Sequence, residues 1–386
     1  MPIKRSTWTA ILILNPLALS ALAQDTAAEE DAFAQFAAQQ QAEFEQFERE
    51  HWQAFEQFVN EWREAEAAYK EQLAEVWEDP ELSDRTRYIQ YSDDVSERTV
   101  VDYEANTVTV EVQGRLTQAQ LRQKLQQQLT KLARTTVSSA LKSDPVIKQL
   151  PKPVQQQITV ENSTPIIETE AETEAEASRE EPAQDQLETT ASTSKITVQL
   201  PPTSQQARIK RVLPTVEVYA QKHGLSPALI LAIIHTESSF NPMARSHIPA
   251  FGLMQIVPTS AGKDISDFLY GEQQLFSPAY LFDPDNNIQA GSVYYYLLSR
   301  RYFKAVRNDE VRELLSIAAY NTGPGNVART FGSDYSLAEA SAAANQMTRE
   351  QAYQHLMTYL PAQETKNYLR KITQRQTNYQ QMMEAF

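Results

Sequence analysis

Apolar side chains between Asp31 and Trp77 recur three and four residues apart, which is the spacing that lines one face of an α-helix. The stripe consists of Phe33, Phe36, Phe44, Phe47, Phe55, Phe58, Trp62, Tyr69, Leu73 and Val76. The other face is acidic, which disfavours docking on a membrane surface. We predict an acidic amphipathic helix or helical hairpin in the region 24–84, with its stripe packed on a neighbouring domain or a second helix.

The spacing changes after residue 84, where short runs of β-branched and aromatic residues replace the helical stripe. The predicted strands are Arg87–Tyr91, Thr99–Tyr103, Thr107–Val112, Ile158–Val160 and Ile196–Leu200, the second and third forming a hairpin. The leucine spacing predicts a helix over Gln118–Leu141. Together these elements predict a small α+β domain over 85–200.

Acidic and small polar residues dominate the segment between Glu168 and Glu188, which has almost no apolar side chains to support a core. We therefore predict a disordered acidic loop over 163–194, inserted in the α+β domain. A plain linker between domains is an equal alternative.

Helical spacing returns in the last part of the chain, 201–386. The predicted helices are Ala207–His223, Pro227–Ser239, Asn287–Arg301, Val311–Tyr320 and Ala352–Met357. Ser226 and Pro227 are typical of an N-cap and a first helical position. The predicted fold class of the whole chain is α+β, mainly helical.

Residues 1–23 have the order of a cleavable signal peptide: Lys4 and Arg5, an apolar run, then Ala21-Leu22-Ala23. A membrane span is the alternative, but Asn15 and Pro16 interrupt a run that is shorter than the roughly 20 residues a span needs. We expect a periplasmic mature chain that begins at Gln24. A retained signal acting as an anchor, or an association with the outer membrane, stays open.

Composition narrows the possible chemistry. The net charge of -15 argues against a nucleic-acid partner, since such binding depends on Lys and Arg. The chain has no Cys, and no two of its five His residues are spaced closely enough in the sequence to form a typical metal-binding pair. We expect no metal and no cofactor, and a chemistry based on carboxylates or hydroxyls.

One carboxylate lies where the helical pattern predicts a hydrophobic residue. Glu237 follows Ile233 by four positions and Ile230 by seven, so it shares their buried face. Burial disfavours the ionised form, which raises the pKa and suits Glu237 to act as a general acid. A buried ion pair with Arg300 or Arg301 is the alternative.

Three sequence blocks follow one another in this part of the chain: ESSFNP at Glu237–Pro242 with Ser246 following, GLMQ at Gly252–Gln255, and AYNTG at Ala319–Gly323. Together they resemble the lysozyme-like catalytic domain of the soluble lytic transglycosylase family. Further matches are Leu281–Pro284, Asn287-Ile288 and Glu364–Leu369, so the resemblance extends from about Arg208 to the C-terminus. The preceding α+β part resembles that of membrane-bound members, which carry a lipidated cysteine that this chain lacks.

The resemblance implies that peptidoglycan glycan strands are the substrate and that one carboxyl suffices. Glu237 would protonate the β-1,4 oxygen between MurNAc and GlcNAc, while the N-acetyl group of MurNAc stabilises C1. Glu237 would then take the proton of the C6 hydroxyl, which leaves a 1,6-anhydro-MurNAc end without the use of water.

The resemblance also implies a set of substrate-binding residues: Ser246, Gly252, Met254, Gln255, Tyr320, Asn321 and Tyr368. Ser246 would bond the N-acetyl group or Glu237, although an ordinary loop serine is the alternative. Since no Trp follows residue 77, Tyr294, Tyr295 and Tyr296 are candidates for stacking on sugar rings. We expect structural or solvent-facing roles for His235 and His247.

Two other functions fit the same pattern. A goose-type lysozyme-like hydrolase has a similar fold and glutamate but lets water attack. A non-catalytic peptidoglycan-binding or scaffold protein would use the N-terminal region to recruit cell-wall protein partners.

Overall fold

The computed structural model describes residues 53, 55–158, 160–167, 186–190, 192–246, 250–332 and 335–384. The chain divides into two compact units, Met1–Glu56 and Gln57–Phe386, and every element below belongs to the second. The predicted signal peptide over 1–23 and the stripe residues from Phe33 to Phe47 lie outside the described residues.

An antiparallel sheet forms the centre of the α+β part. Its strands are β1 (Arg87–Tyr91), β2 (Glu97–Asp102), β3 (Thr107–Gln113), β4 (Gln186–Thr189) and β5 (Thr193–Gln199), in the order β1-β2-β3-β5-β4. Val108, Val110 and Val112 are buried, and Val110 pairs with Ile196 of β5. The predicted hairpin is confirmed as β2 and β3, with Asn106 in the left-handed conformation in its turn (φ 55°).

Two predictions for this part are wrong. The helix over Gln118–Leu141 is two helices, α2 (Gln118–Arg134) and α3 (Val137–Ser143), because Thr136 caps the second one by accepting the N–H of Ser139. Ile158–Val160 is not a strand, since Ile158 ends the helix Lys152–Ile158 and its side chain is buried. The short helix Pro145–Gln149 (α4) precedes this one (α5).

Residues at both ends of the predicted acidic loop, 163–194, belong to the folded part of the chain, so the loop is shorter than predicted. At one end, the N–H of Ile166 donates to the carbonyl of Thr135 at 2.8 Å, and Ile167 is buried. At the other end, β4 and the start of β5 belong to the sheet. The acidic residues 168–185 lie outside the described part of the chain.

A helix over 57–74 (α1) carries Phe58, Trp62, Tyr69 and Leu73 of the N-terminal stripe, whereas Val76 lies beyond the helix and is exposed. Trp62 and Leu73 are fully buried, and the Trp62 ring meets Phe251 edge to face at a centroid distance of 5.9 Å. Phe58 lies beside both rings. For these residues the prediction of a stripe packed on another part of the protein is confirmed.

Helices form the rest of the unit. They are α6 (Pro202–His223), α7 (Pro227–Ser238), α8 (Ala261–Tyr270), α9 (Pro278–Phe282), α10 (Pro284–Leu297), α11 (Asp309–Thr322), α12 (Pro324–Arg329), α13 (Leu337–Ala344), α14 (Arg349–Tyr359) and α15 (Gln363–Glu384), with a π-helical turn over Leu298–Tyr302. The predicted helices are confirmed with shifted bounds: three are longer, Pro227–Ser239 ends at Ser238, and Asn287–Arg301 becomes Pro284–Leu297 with the π-helical turn after it. Helices α8, α9, α12, α13 and α15 were not predicted. The fold class, α+β and mainly helical, is confirmed.

Helix α7 is enclosed by its neighbours, as its composition requires. Ile230, Ile233 and Ile234 have no exposed surface, and α15 and α6 pack against this helix. A helix that is apolar on most of its faces needs such enclosure. The last turn of α7 therefore lies inside the protein, and Glu237 is part of that turn.

Candidate active site

Glu237 is buried at the C-terminal end of α7, with 5% of its surface exposed. After Ser238 the chain turns sharply, because Ser239 and Phe240 both adopt left-handed conformations with φ of 51° and 64°. Such conformations are costly for residues with a side chain and persist only where the surroundings hold them. Here Ser239 donates its N–H to His235 and its hydroxyl to Glu104, which fixes the turn that follows the carboxyl.

Burial raises the pKa of the Glu237 carboxyl from 4.5 to about 7. The neighbouring Tyr368 and Arg85 lower this pKa, and the negative charge of Glu364 raises it. Burial prevails, so a substantial fraction of Glu237 keeps its proton near neutral pH. The prediction that Glu237 lies on a buried face is confirmed, and its role as an acid stays a prediction.

The alternative, an ion pair of Glu237 with Arg300 or Arg301, is wrong, because the neighbouring cation is a different arginine. Arg301 lies 3.6 Å from Asp267, whereas the cation beside Glu237 is Arg85, whose Nη1 lies 3.6 Å from Oε2. Arg85 comes from the α+β part, just before β1, and was not predicted. No local pattern marks it, since its contact with Glu237 joins positions far apart in the chain.

Two buried tyrosines complete the surroundings of the carboxyl. The Tyr368 hydroxyl faces Glu237 from α15 and has no hydrogen bond of good geometry. The Tyr320 hydroxyl donates to the carbonyl of Met254 at 3.0 Å. Burial and the nearby Glu237 raise the pKa of both phenols, so both stay protonated and can donate hydrogen bonds.

The GLMQ block forms a tight turn held by a residue that was not predicted as part of the site. The buried Asn287 of α10 accepts the N–H of Met254 at 2.7 Å and donates to the carbonyls of Phe251 and Leu281, each at 2.8 Å. Gly252 has φ of 76°, and its Cα lies directly against Asn287. This glycine is therefore required by packing inside the protein, and a contact between Gly252 and a glycan stays a prediction.

Met254 and Gln255 differ in what they offer to a ligand. Met254 has no exposed surface, and its sulfur packs against Gly291 of α10. Gln255 adopts a left-handed conformation (φ 50°) and donates from Nε2 to the carbonyl of Gly252 at 2.9 Å. Its buried Oε1 has no hydrogen-bond partner among the described residues. The turn thus leaves one acceptor unused at Gln255.

Asn321 and Ser246 are held by neighbouring groups. The Oδ1 of Asn321 accepts the hydroxyl of Thr365 at 2.7 Å, which ties the AYNTG block to α15. Ser246 accepts the N–H of Ala250 through its hydroxyl at 3.2 Å and so closes a loop whose residues 247–249 are outside the described ranges. His247 belongs to that loop.

The other aromatic and histidine predictions have definite positions. Tyr294 meets Tyr320 edge to face at 5.3 Å, Tyr295 is buried, and Tyr296 lies against His223. Tyr294 alone of the three therefore touches a site residue. The Nδ1 atom of His235 and the Tyr379 hydroxyl form a hydrogen bond of 2.9 Å, and burial lowers the pKa of His235 to about 4. The expected structural role of His235 agrees with these contacts.

No group of three or more His, Asp or Glu side chains in the described ranges is arranged to hold a metal ion. No helix within the same part of the chain combines the length and apolar character needed to cross a membrane.

Comparison with known proteins defines the class first. The family model described as the transglycosylase SLT domain matches residues 214–342, a range that includes Glu237, the GLMQ turn and Tyr320. The chain is 35% identical over 299 residues to membrane-bound lytic murein transglycosylase C of Sodalis glossinidius (strain morsitans), covering 76% of this chain and 82% of that protein. The protein of the same name from Yersinia pestis (strain Pestoides F) is 35% identical over 298 residues, with the same coverage. The chain therefore belongs to the lytic murein transglycosylases.

A solved structure is also similar over part of the chain. The 70 kDa soluble lytic transglycosylase from Escherichia coli is 27% identical, with a TM-score of 0.35, over 44% of this chain and 24% of that one.

Proposed function

We propose that this lytic murein transglycosylase cuts the β-1,4 bond between MurNAc and GlcNAc without water, with Glu237 as general acid and then base. In the first step the Glu237 proton passes to the glycosidic oxygen and the bond from that oxygen to C1 breaks. The N-acetyl oxygen of MurNAc stabilises the electron-poor C1. In the second step the C6 hydroxyl oxygen bonds to C1, and its proton returns to Glu237.

The observation that carries this proposal is the buried carboxyl whose pKa is raised to about 7. A carboxyl with this pKa is protonated often enough to act as an acid near neutral pH, and it is basic enough to take a proton back. The attacking hydroxyl belongs to the substrate, so the reaction needs no second protein carboxylate. The products are a GlcNAc end with a free 4-hydroxyl and a 1,6-anhydro-MurNAc end.

We assign the substrate contacts to polar groups of the site that can bond a ligand. The unpartnered Oε1 of Gln255 is an acceptor for an amide or hydroxyl of the glycan, and the Tyr368 hydroxyl is a donor beside the acid. Asn321 lies in the last turn of α11 and is bonded to Thr365, and Ser246 lies in the loop that it closes with Ala250. Met254 and Gly252 support the turn from within.

One observation favours a second candidate, the hydrolase. The exposed Glu364, at the start of α15, lies close enough for its charge to act on Glu237. In an inverting glycosidase a second carboxylate activates water at a distance of about 6.5–9.5 Å from the acid. Glu364 is the residue that would do so here.

Mass spectrometry of the fragments released from purified peptidoglycan separates the two reactions. We expect wild type and Glu364→Gln to release anhydro ends, which are lighter than hydrolytic ends by one water, and Glu237→Gln to release none. Reducing ends that depend on Glu364 would establish the hydrolase instead. Unchanged release by Glu237→Gln would remove Glu237 from the mechanism.

The cellular location and the domain boundaries belong to the same proposal. We infer export to the periplasm by residues 1–23, a helical region over 24–84, an α+β domain over 85–200 and a catalytic domain over 201–386. N-terminal sequencing of the mature protein tests the first point, since cleavage predicts a chain that starts at Gln24. Limited proteolysis tests the boundaries, and affinity capture on the 24–84 region tests for cell-wall protein partners.

A further inference from the structure

Arg85 reaches the acid of the catalytic part from a different part of the chain. Its Nη1 lies 3.6 Å from Oε2 of Glu237, and its side chain is 40% exposed while that of Glu237 is 6% exposed. The Arg85 side chain is therefore partly open to solvent, while the carboxyl beside it is buried. At this distance the two charges attract each other even where water screens them.

The backbone of Arg85 is held by the motif that carries the acid. Asn241, four residues after Glu237 and fully buried, donates from Nδ2 to the carbonyls of Asp84 and Arg85 at 3.3 and 3.2 Å. The N–H of Arg245 donates to the carbonyl of Asp84 at 3.5 Å. The segment that carries Arg85 is thus fixed to the same loop as Glu237.

Four groups face or influence the carboxyl, and they differ in charge. Tyr368 and Glu364 belong to α15, Tyr320 belongs to α11, and Arg85 precedes β1. Both tyrosines are neutral and Glu364 is negative. Among the described groups that act on Glu237, Arg85 is the one that favours a negative charge there by its own positive charge.

We propose that Arg85 is a positioning residue that holds the Glu237 carboxylate in place between its two proton transfers. The proposal rests on the proposed function, because only that reaction passes through a Glu237 carboxylate that must wait for the C6 hydroxyl. Arg85 gains and loses no proton in either step. Its charge stabilises the anion that forms when Glu237 protonates the leaving oxygen, and it orients that anion toward the incoming hydroxyl.

The test compares Arg85→Gln, Arg85→Lys and a control with the same loss of charge, Arg115→Gln. Arg115 is exposed in the same α+β part and is not among the charges that act on Glu237. Rates of anhydro-end formation from soluble glycan strands are measured across pH 5 to 9, as roughly spans the titration of such a carboxyl. Thermal unfolding establishes that each variant is folded.

We expect Arg85→Gln to lower kcat roughly 3- to 10-fold with little change in KM, because a weaker acid transfers its proton less readily. The high-pH limb of the profile should move up by about half to one pH unit, since loss of a nearby cation raises the pKa of the acid. Arg85→Lys should recover most of this shift, and Arg115→Gln should behave as wild type.

The possible failures are distinct. If wild type releases hydrolytic ends, the proposed function fails and this inference fails with it. If wild type releases anhydro ends but the limb of folded Arg85→Gln does not move, only the inference fails, and Arg85 has a structural role. If Arg85→Gln does not fold, Arg85→Met, which keeps the aliphatic stem, replaces it in the same comparison.

Discussion

Gly252 lies against Asn287 so closely that a Cβ on the glycine would stand 2.3 Å from the Nδ2 atom of the asparagine and 2.1 Å from the carbonyl oxygen of Leu281. Gly271 has the same φ of 76°, yet a Cβ there would meet nothing within 4 Å. The two glycines share a backbone conformation and differ in crowding. They therefore form a matched pair.

Gly252→Ala should lower the free energy of unfolding by about 3 kcal/mol or more, because the new methyl group has no space and the backbone must move. Gly271→Ala should cost only about 1 kcal/mol, from its left-handed conformation alone. Urea denaturation of both variants measures the difference. Equal losses of stability would show that crowding at Gly252 is relieved without cost.

Asn287 to Ala removes three hydrogen bonds from the fully buried centre of the GLMQ turn. We expect a loss of roughly 2–5 kcal/mol in unfolding free energy, because one N–H and two carbonyls lose a partner inside the protein. The half-buried neighbour Asn286 provides the control as Asn286→Ala. Thermal or chemical denaturation checks this, and a loss below about 1 kcal/mol for Asn287→Ala would contradict it.

Glu237 makes stability depend on pH in a definite direction. Its pKa is about 7 in the folded protein and 4.5 when unperturbed, so the folded state binds the proton more tightly. Below about pH 4.5 the carboxyl is protonated in both states and costs nothing. Between the two values the folded state loses stability as the pH rises, and above about 7 the full cost of the buried charge is present.

Glu237→Gln should therefore stabilise the protein by about 3 kcal/mol more at pH 8 than at pH 4. Chemical denaturation at the two pH values measures this difference. The exposed Glu217 gives a control, Glu217→Gln, that removes the same charge without changing a buried site. A Glu237→Gln effect that is the same at both pH values would mean that folding does not raise the pKa of this carboxyl.

Trp62 connects α1 to the residue that precedes the GLMQ block, through its contact with Phe251. Trp62→Ala should cost about 3–5 kcal/mol of stability and also lower the rate of peptidoglycan cleavage, because Phe251 loses its support. Trp77 is equally buried but contacts Tyr91 and Arg98 in the α+β part. Trp77→Ala should lower stability by a similar amount.

The comparison is made at a temperature where both tryptophan variants are folded by circular dichroism. Activity should then fall in Trp62→Ala and stay close to wild type in Trp77→Ala. Equal activities would show that α1 contributes to stability without affecting the turn.

Helical spacing was enough to place Glu237 on a buried face, because the isoleucines before it are strongly apolar and regularly spaced. The same method did not reveal α15, where Tyr368, Leu369 and Ile372 are buried among many polar residues. A weak stripe of this kind is buried because α7 and α11 pack against it. Tyr368 was found from its motif, while the helix that positions it was not.

Arg85 and Asn287 were missed as site residues for a different reason. Each acts on a group that is distant in the sequence: Arg85 on Glu237, and Asn287 on the backbone of the GLMQ turn. An arginine before a strand and an asparagine in a helix are ordinary features of a sequence. Their functions depend on tertiary contacts, which residue spacing does not contain.

The acid is surrounded by residues from opposite ends of the described chain, since Arg85 precedes the sheet and Tyr368 belongs to the last helix. We expect a chain that stops before α15 to lack the cleavage activity even if its earlier parts fold, which an assay of a chain ending at residue 360 would check. A polypeptide emerging N-terminus first therefore completes the surroundings of Glu237 only after α15 has been synthesised.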